Sequence, residues 1–217
     1  MDRVVFHIIN EKWTSPALDL FMAVMSDVEI WKPLLVGTAL YLLIFGGFKG
    51  RAFIFSVLFA LAISDQLLVG PLKSAVDRRR PKQTKPVRMV ELQEARPEFL
   101  TLFKKPTVRF SDQSDRTKSG PSFPSGHVAN NTIIAVMCAL FFRRWGWRYF
   151  IVAAVVGYSR IYLGAHWPSD VLATAFMAAG EALLVIALLE LIWKSAASRW
   201  APAVFARHPR LLSESAS

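Results

Sequence analysis

Five stretches of this chain, residues 30–48, 52–72, 128–142, 148–165 and 171–193, are built almost wholly of apolar side chains. In lipid, every backbone N–H and C=O of such a stretch must be paired within the segment, which leaves the α-helix as its fold. About 20 residues of helix reach across the hydrocarbon layer. The pattern predicts an all-α integral membrane protein, a bundle of five transmembrane helices, with the third and fourth stretches on the short side. The first 29 residues are weaker. VVFHIIN and PALDLFMAVMSDV read as two short amphipathic pieces, broken at Ser15-Pro16, that form an interfacial segment. A sixth crossing by 17–28 is the alternative.

Composition agrees with this class. Hydrophobic residues make up 53% of the 217, and the mean hydropathy is +0.35. The single cysteine, Cys138, excludes an intrachain disulfide. Residues 1–28 lack the basic start, continuous apolar centre and small-residue cleavage site of a secretory signal, so the chain is expected to insert by its own helices. The net charge of +10 fits anionic lipid head groups. Nucleic acid is not expected as a partner, because the basic residues are not interleaved with aromatics on a soluble module.

Five spans put 73–127 and 166–170 on one side of the membrane. The opposite side carries Lys49 and Arg51, then Arg143, Arg144 and Arg148, then a tail, 194–217, with Lys194, Arg199, Arg207 and Arg210. Basic short connections mark the cytoplasmic face. The long loop, with its 82–120 portion, is therefore expected outside the cytoplasm, although it too is basic. The whole chain reads as one membrane domain.

Three polar clusters border apolar stretches on that outer side. LKSAVDRRRP holds Lys73, Arg80 and Pro81; SFPSGHVANN holds Ser125, Gly126 and His127; SRIYLGAHWPSD holds Arg160, His166 and Asp170. Lys73, Arg80 and Arg160 are cationic donors, and arginine forks match phosphate oxygens. Ser125 adds a hydroxyl. Gly126 lets the backbone approach closely, and the first amides of a helix favour an anion. Binding alone would not call for His127 and His166, which exchange protons near neutrality. Asp170, four residues after His166, would lie near the ring on a helical turn and would prepare a neutral imidazole as a nucleophile. His127 suits the acid that protonates a departing oxygen.

Lys73 with Arg80-Pro81, then Pro124-Ser125-Gly126-His127, then Ser159-Arg160 with His166 and Asp170, resemble the three-part signature of the type-2 phosphatidic acid phosphatase superfamily, the lipid phosphate phosphatases. The resemblance implies that His166 forms a phosphohistidine and that Asp170 orients it. It implies that His127 is the acid for the leaving group and then the base for water. Lys73, Arg80, Ser125, Gly126 and Arg160 would hold the phosphoryl oxygens. It also implies no metal and no cofactor. The partners would be membrane lipids and a lipid phosphate or diphosphate in a bacterial cytoplasmic membrane: undecaprenyl diphosphate or phosphatidylglycerophosphate first, with phosphatidic acid and lipid A phosphates sharing the same group. A phosphotransferase, a non-catalytic lipid-phosphate carrier and a vanadium haloperoxidase remain the alternatives; the spans speak against the last, a soluble class. No oligomeric state is read.

Other residues have plainer readings. Arg78 and Arg79 read as head-group contacts, and Trp145, Trp147, Tyr162 and Trp167 as interface aromatics. Ser64, Asp65 and Gln66, inside the second stretch, read as interhelical hydrogen-bonding groups. His7 and His208 read as outside the chemistry.

Overall fold

The computed structural model describes residues 1–93, 95, 98–117 and 120–212. The expected 82–120 loop and 194–217 tail include positions 94, 96, 97, 118, 119 and 213–217, which lie outside the described residues. Each apolar stretch is helical. The first two short helices, α1 (Asp2–His7) and α2 (Pro16–Ser26), are separated by a π-helical turn and the expected break, where Ser15 Oγ accepts from Leu18 N–H and Pro16 opens α2. Then come α3 (Val28–Phe45), α4 (Gly47–Ile63), a π-helical segment (Ser64–Val69) and α5 (Gly70–Val76). The remaining long helices are α8 (Gly126–Phe141), α9 (Tyr149–Tyr162) and α10 (Pro168–Trp200), and α11 (Pro202–Arg207) ends the described chain.

Among the described residues, three helical stretches are long and apolar enough to cross a membrane, α3, the run from Gly47 to Thr84, and α10. At 16 and 14 residues, α8 and α9 are shorter. Asp65 and Gln66 are exposed, and Ser64 is buried. With 11 residues, α2 spans about 16 Å and does not reach across a bilayer.

One packed core joins α4, α8 and α10: Phe53, Val57 and Ala60 meet Ile133, Met137 and Phe141, and both meet Ala178, Ala182 and Ile186. At the end away from the polar clusters, Phe53 packs edge-on to Phe142, Phe48 packs against Trp193, and Lys49 sits over Phe142. The basic connections thus share one end. By contrast, α3 has no buried residue.

The 82–120 region carries α6 (Pro81–Thr84), α7 (Gln113–Thr117) and a small antiparallel ribbon, β1 (Arg88–Glu91) with β2 (Thr107–Phe110), in the register Arg88 opposite Phe110 and Glu91 opposite Thr107. Strands were not read from the sequence here; each is four residues long, too short for its alternation to stand out. Arg109 pins the ribbon through Glu91 and Asp115.

The N-terminal segment is built into the protein at the end of the bundle that carries the polar clusters. Phe6, Ile9, Met22 and Ala23 share a second core with Val87, Val90, Ile161 and Tyr162. Asn10, fully buried, donates to the carbonyls of Arg88 and Tyr162 and accepts from Arg88 N–H. Asp19, 4% exposed, accepts from Arg88 and from the Tyr162 hydroxyl, each at 2.6 Å. Tyr162 and Trp167, fully buried and 5% exposed, are therefore core residues and not interface aromatics. Trp145 and Trp147 are more than half exposed.

Removing one member of a buried ion pair strands the other. Asp19→Ala is expected to lower the unfolding free energy by about 3 kcal/mol, read as a reduced thermal midpoint in detergent. Glu29→Ala, at an exposed pair with Lys32, leaves that midpoint unchanged.

Candidate active site

The three polar clusters meet at one end of the bundle. The turn between α9 and α10 carries His166. Its bend depends on Gly164, with φ +73 and an added Cβ only 2.9 Å from Val87 Cγ2; a side chain there is both strained and blocked. His166 is 3% exposed. Its Nδ1 donates to the Ser122 carbonyl at 2.6 Å. A carbonyl only accepts, so the proton sits on Nδ1 and Nε2 keeps its lone pair as an acceptor. That Nε2 lies 3.5 Å from Nη1 of Arg80.

The expected contact of Asp170 with the His166 ring is corrected here. His166 precedes the helix, so the one-turn spacing does not apply. Pro168 opens α10, and Asp170, in its first turn, folds back to accept from Trp167 N–H at 3.1 Å. Its carboxylate is fully buried and also accepts from Ser122 Oγ at 2.5 Å and from Arg78 Nη1 at 2.6 Å. Asp170 reaches the imidazole through Ser122, whose hydroxyl it holds and whose carbonyl holds the ring. The N–H of Ser122 donates to the carbonyl of Arg78, so one residue ties all three clusters together.

Arg78 is likewise not a head-group contact. It bridges Asp170 and Asp2, each at 2.6 Å. Asp2 also accepts from the N–H and hydroxyl of Ser169. Sequence reading missed Ser122, Asp2 and this role of Arg78. Ser122 stood within the quoted second cluster, but nothing in spacing distinguishes a backbone acceptor. Arg79 offers only its carbonyl, to Trp167 Nε1.

The cations converge on the histidines. Arg80 donates through Nε to Gly120 O and through Nη1 to Ala165 O. Arg160 donates to Ser26 Oγ of α2, while its Nε is buried with no partner among the described residues. Ser125 is fully buried and its Oγ is also unpartnered; its N–H donates to Thr174 Oγ1. A Cβ added at Gly126 would meet open space. Arg160, Arg80 and Lys73 all act electrostatically on His127, and His127 acts on His166. Lys73 makes no side-chain hydrogen bond among the described residues. Orphaned donors, open space and a helix start facing two imidazoles make a receptor for a tetrahedral anion. Among the described residues, no three His, Cys, Asp or Glu side chains gather as a metal site.

A family model described as the PAP2 superfamily matches residues 53–194. A lipid A 4'-phosphatase of Bacteroides thetaiotaomicron is 27% identical over 171 residues, 75% of this chain and 66% of that protein. That share is just under two thirds of its length, and the curated relatives next to it are matched over about a third or less. Among solved structures, the crystal structure of Aquifex aeolicus LpxE aligns with a TM-score of 0.57 at 24% identity, covering 85% of this chain and 93% of that one. A transmembrane PAP2-type phosphatidylglycerolphosphate phosphatase from Bacillus subtilis aligns with 0.56 at 22% identity, covering 88% and 87%. Both likenesses concern the fold.

Burial, then the nearby Arg80 and Arg160 charges, hold the His166 pKa well below its usual 6.5. At pH 6.5, where a free imidazole is half protonated, His166 is expected to be neutral, with Nδ1 carrying the proton, in a nitrogen-15 NMR titration. Below pH 6.5 the unfolded chain binds a proton that the folded ring refuses, so this residue lowers stability as pH falls from 6.5 towards its folded pKa. A midpoint at or above 6.5 contradicts the reading.

Proposed function

The chain belongs to the PAP2 superfamily, and from that premise we propose that it is a membrane phosphatase that hydrolyses the phosphate of a lipid phosphate or diphosphate through a phosphohistidine. The observation that carries this reading is the unprotonated His166 Nε2, met only by a long 3.5 Å contact from Arg80, at a pocket where Ser125 Oγ and Arg160 Nε lack partners among the described residues. Nε2 attacks phosphorus in line as the bond to the lipid oxygen breaks. Burial, then Arg160, Arg80 and Lys73, hold the His127 pKa down to about 4 before substrate binds. The substrate's negative charge offsets those cations, and His127, protonated with the anion bound, gives its proton to that oxygen, then takes one from the water that cleaves the phosphohistidine. The phosphorylated ring is cationic, and the Ser122 carbonyl, backed by Asp170, faces its Nδ1–H. Lys73, Arg80, Arg160, Ser125 and the amide at Gly126 hold the phosphoryl oxygens, where such reactions are accelerated mostly by positioning and charge. No metal takes part in this scheme, so phosphate release is expected to persist in EDTA.

Undecaprenyl diphosphate and phosphatidylglycerophosphate are the substrates proposed first. They suit a site on the outer face of a bacterial cytoplasmic membrane, an orientation supported by the basic connections gathered at the opposite end. The relative named lipid A 4'-phosphatase, matched over 171 residues, favours a second reading, a lipid A phosphate.

His166→Ala is expected to abolish phosphate release from every lipid substrate, a loss of several orders of magnitude; undiminished turnover refutes the scheme. Ser122→Ala keeps the carbonyl but frees Asp170 from it. About a 10-fold lower kcat with unchanged KM is expected, the size of one hydrogen bond to a charged group.

A further inference from the structure

The leaving group must lie beside His127, the residue that protonates its oxygen, on the membrane side of the transferred phosphate. On α8 the positions that share the His127 face are Asn130, Asn131 and Ile134. Asn130 lies about 4.5 Å deeper along the helix axis. The two amides differ sharply. Asn131 is committed, donating to the His127 carbonyl at 2.9 Å and accepting from the Tyr149 hydroxyl at 3.3 Å. Asn130 is exposed, next to the fully buried Ala129 and below the half-buried His127, and makes no side-chain hydrogen bond among the described residues. Asn130 falls inside the apolar stretch 128–142, where an amide facing lipid without a partner would cost on the order of 2–7 kcal/mol. Its partner is therefore a polar atom that reaches this depth from outside the protein.

We propose that Asn130 is a specificity-determining residue that binds the neutral polar part of the leaving alcohol, a hydroxyl three bonds or an acyl carbonyl oxygen five bonds beyond the phosphoester oxygen. The substrate class is a phosphomonoester carried on an acylated or hydroxylated polyol or sugar, not an isoprenyl diphosphate. An amide has one donor group and one acceptor and no charge, which matches hydroxyl and carbonyl groups. A diphosphate would place a second anion at this depth. The cations of the site, Lys73, Arg80 and Arg160, are already taken by the transferred phosphoryl group. The inference rests on the phosphatase reading and narrows it, separating phosphatidylglycerophosphate, phosphatidic acid and lipid A phosphates from undecaprenyl diphosphate.

The experiment compares wild type with Asn130→Leu and Asn130→Ala in detergent micelles, on dioleoyl phosphatidic acid, phosphatidylglycerophosphate, farnesyl diphosphate and p-nitrophenyl phosphate. Both variants are expected to lose about 10-fold in kcat/KM on the two glycerol-borne phosphates, the worth of one hydrogen bond, and to stay within about twofold on the other two. The leucine variant keeps the volume and the alanine variant removes it, so agreement between them excludes a packing effect. Equal loss on all four substrates, no loss on any, or loss confined to farnesyl diphosphate overturns the assignment. Wild type inert on all four overturns the phosphatase reading itself, and the assignment with it.

Discussion

A carboxylate with no exposure at the rim of a membrane bundle is tolerable only when its oxygens are filled and its charge is met. Asp170 satisfies both conditions with the Arg78 guanidinium, the Ser122 hydroxyl and the Trp167 N–H. Each donor belongs to a different piece of chain, so the carboxylate fixes where the end of α5, the entry to α8 and the start of α10 stand relative to one another. The orientation of the His166 ring follows from that, since the carbonyl it donates to belongs to the same Ser122. Arg78 in turn leans on Asp2, which caps the exposed side of the same helix start through Ser169.

The remaining cations carry the opposite logic. Arg80 and Arg160 each spend donors on carbonyl or hydroxyl oxygens and none on a carboxylate. Arg78 and Arg80 are two residues apart, yet one is neutralised by protein and the other is left in surplus. Surplus positive charge beside two imidazoles, one of them kept neutral by burial and by that charge, is an arrangement that only an incoming anion completes.

Much of this was legible in the residues. Long apolar runs have one backbone solution in lipid, so helices were read close to where they lie. The three clusters were recognisable because side chains at fixed spacing carry the chemistry. What could not be read was pairing. Asp170 stands one helical turn from His166 in sequence, and only the proline that starts α10 after the histidine reveals that the spacing is not helical. Arg78 resembles any charged stop at a helix end until its two carboxylate partners, 76 and 92 positions away, are seen. Ser122 acts half through its main chain, where sequence is silent. The N-terminal segment is amphipathic whether its apolar side meets lipid or Val87, Ile161 and Tyr162.

The clasp between Asp2 and the start of α10 bears on how the molecule comes into being. Asp2 and Ser169 lie 167 positions apart, so the clasp closes only after an interval of roughly ten to thirty seconds at ordinary translation speeds. Arg78 is made within that interval, but its second carboxylate, Asp170, arrives only with the start of α10. The rim around the site is therefore completed late, when the final long helix joins segments already in place.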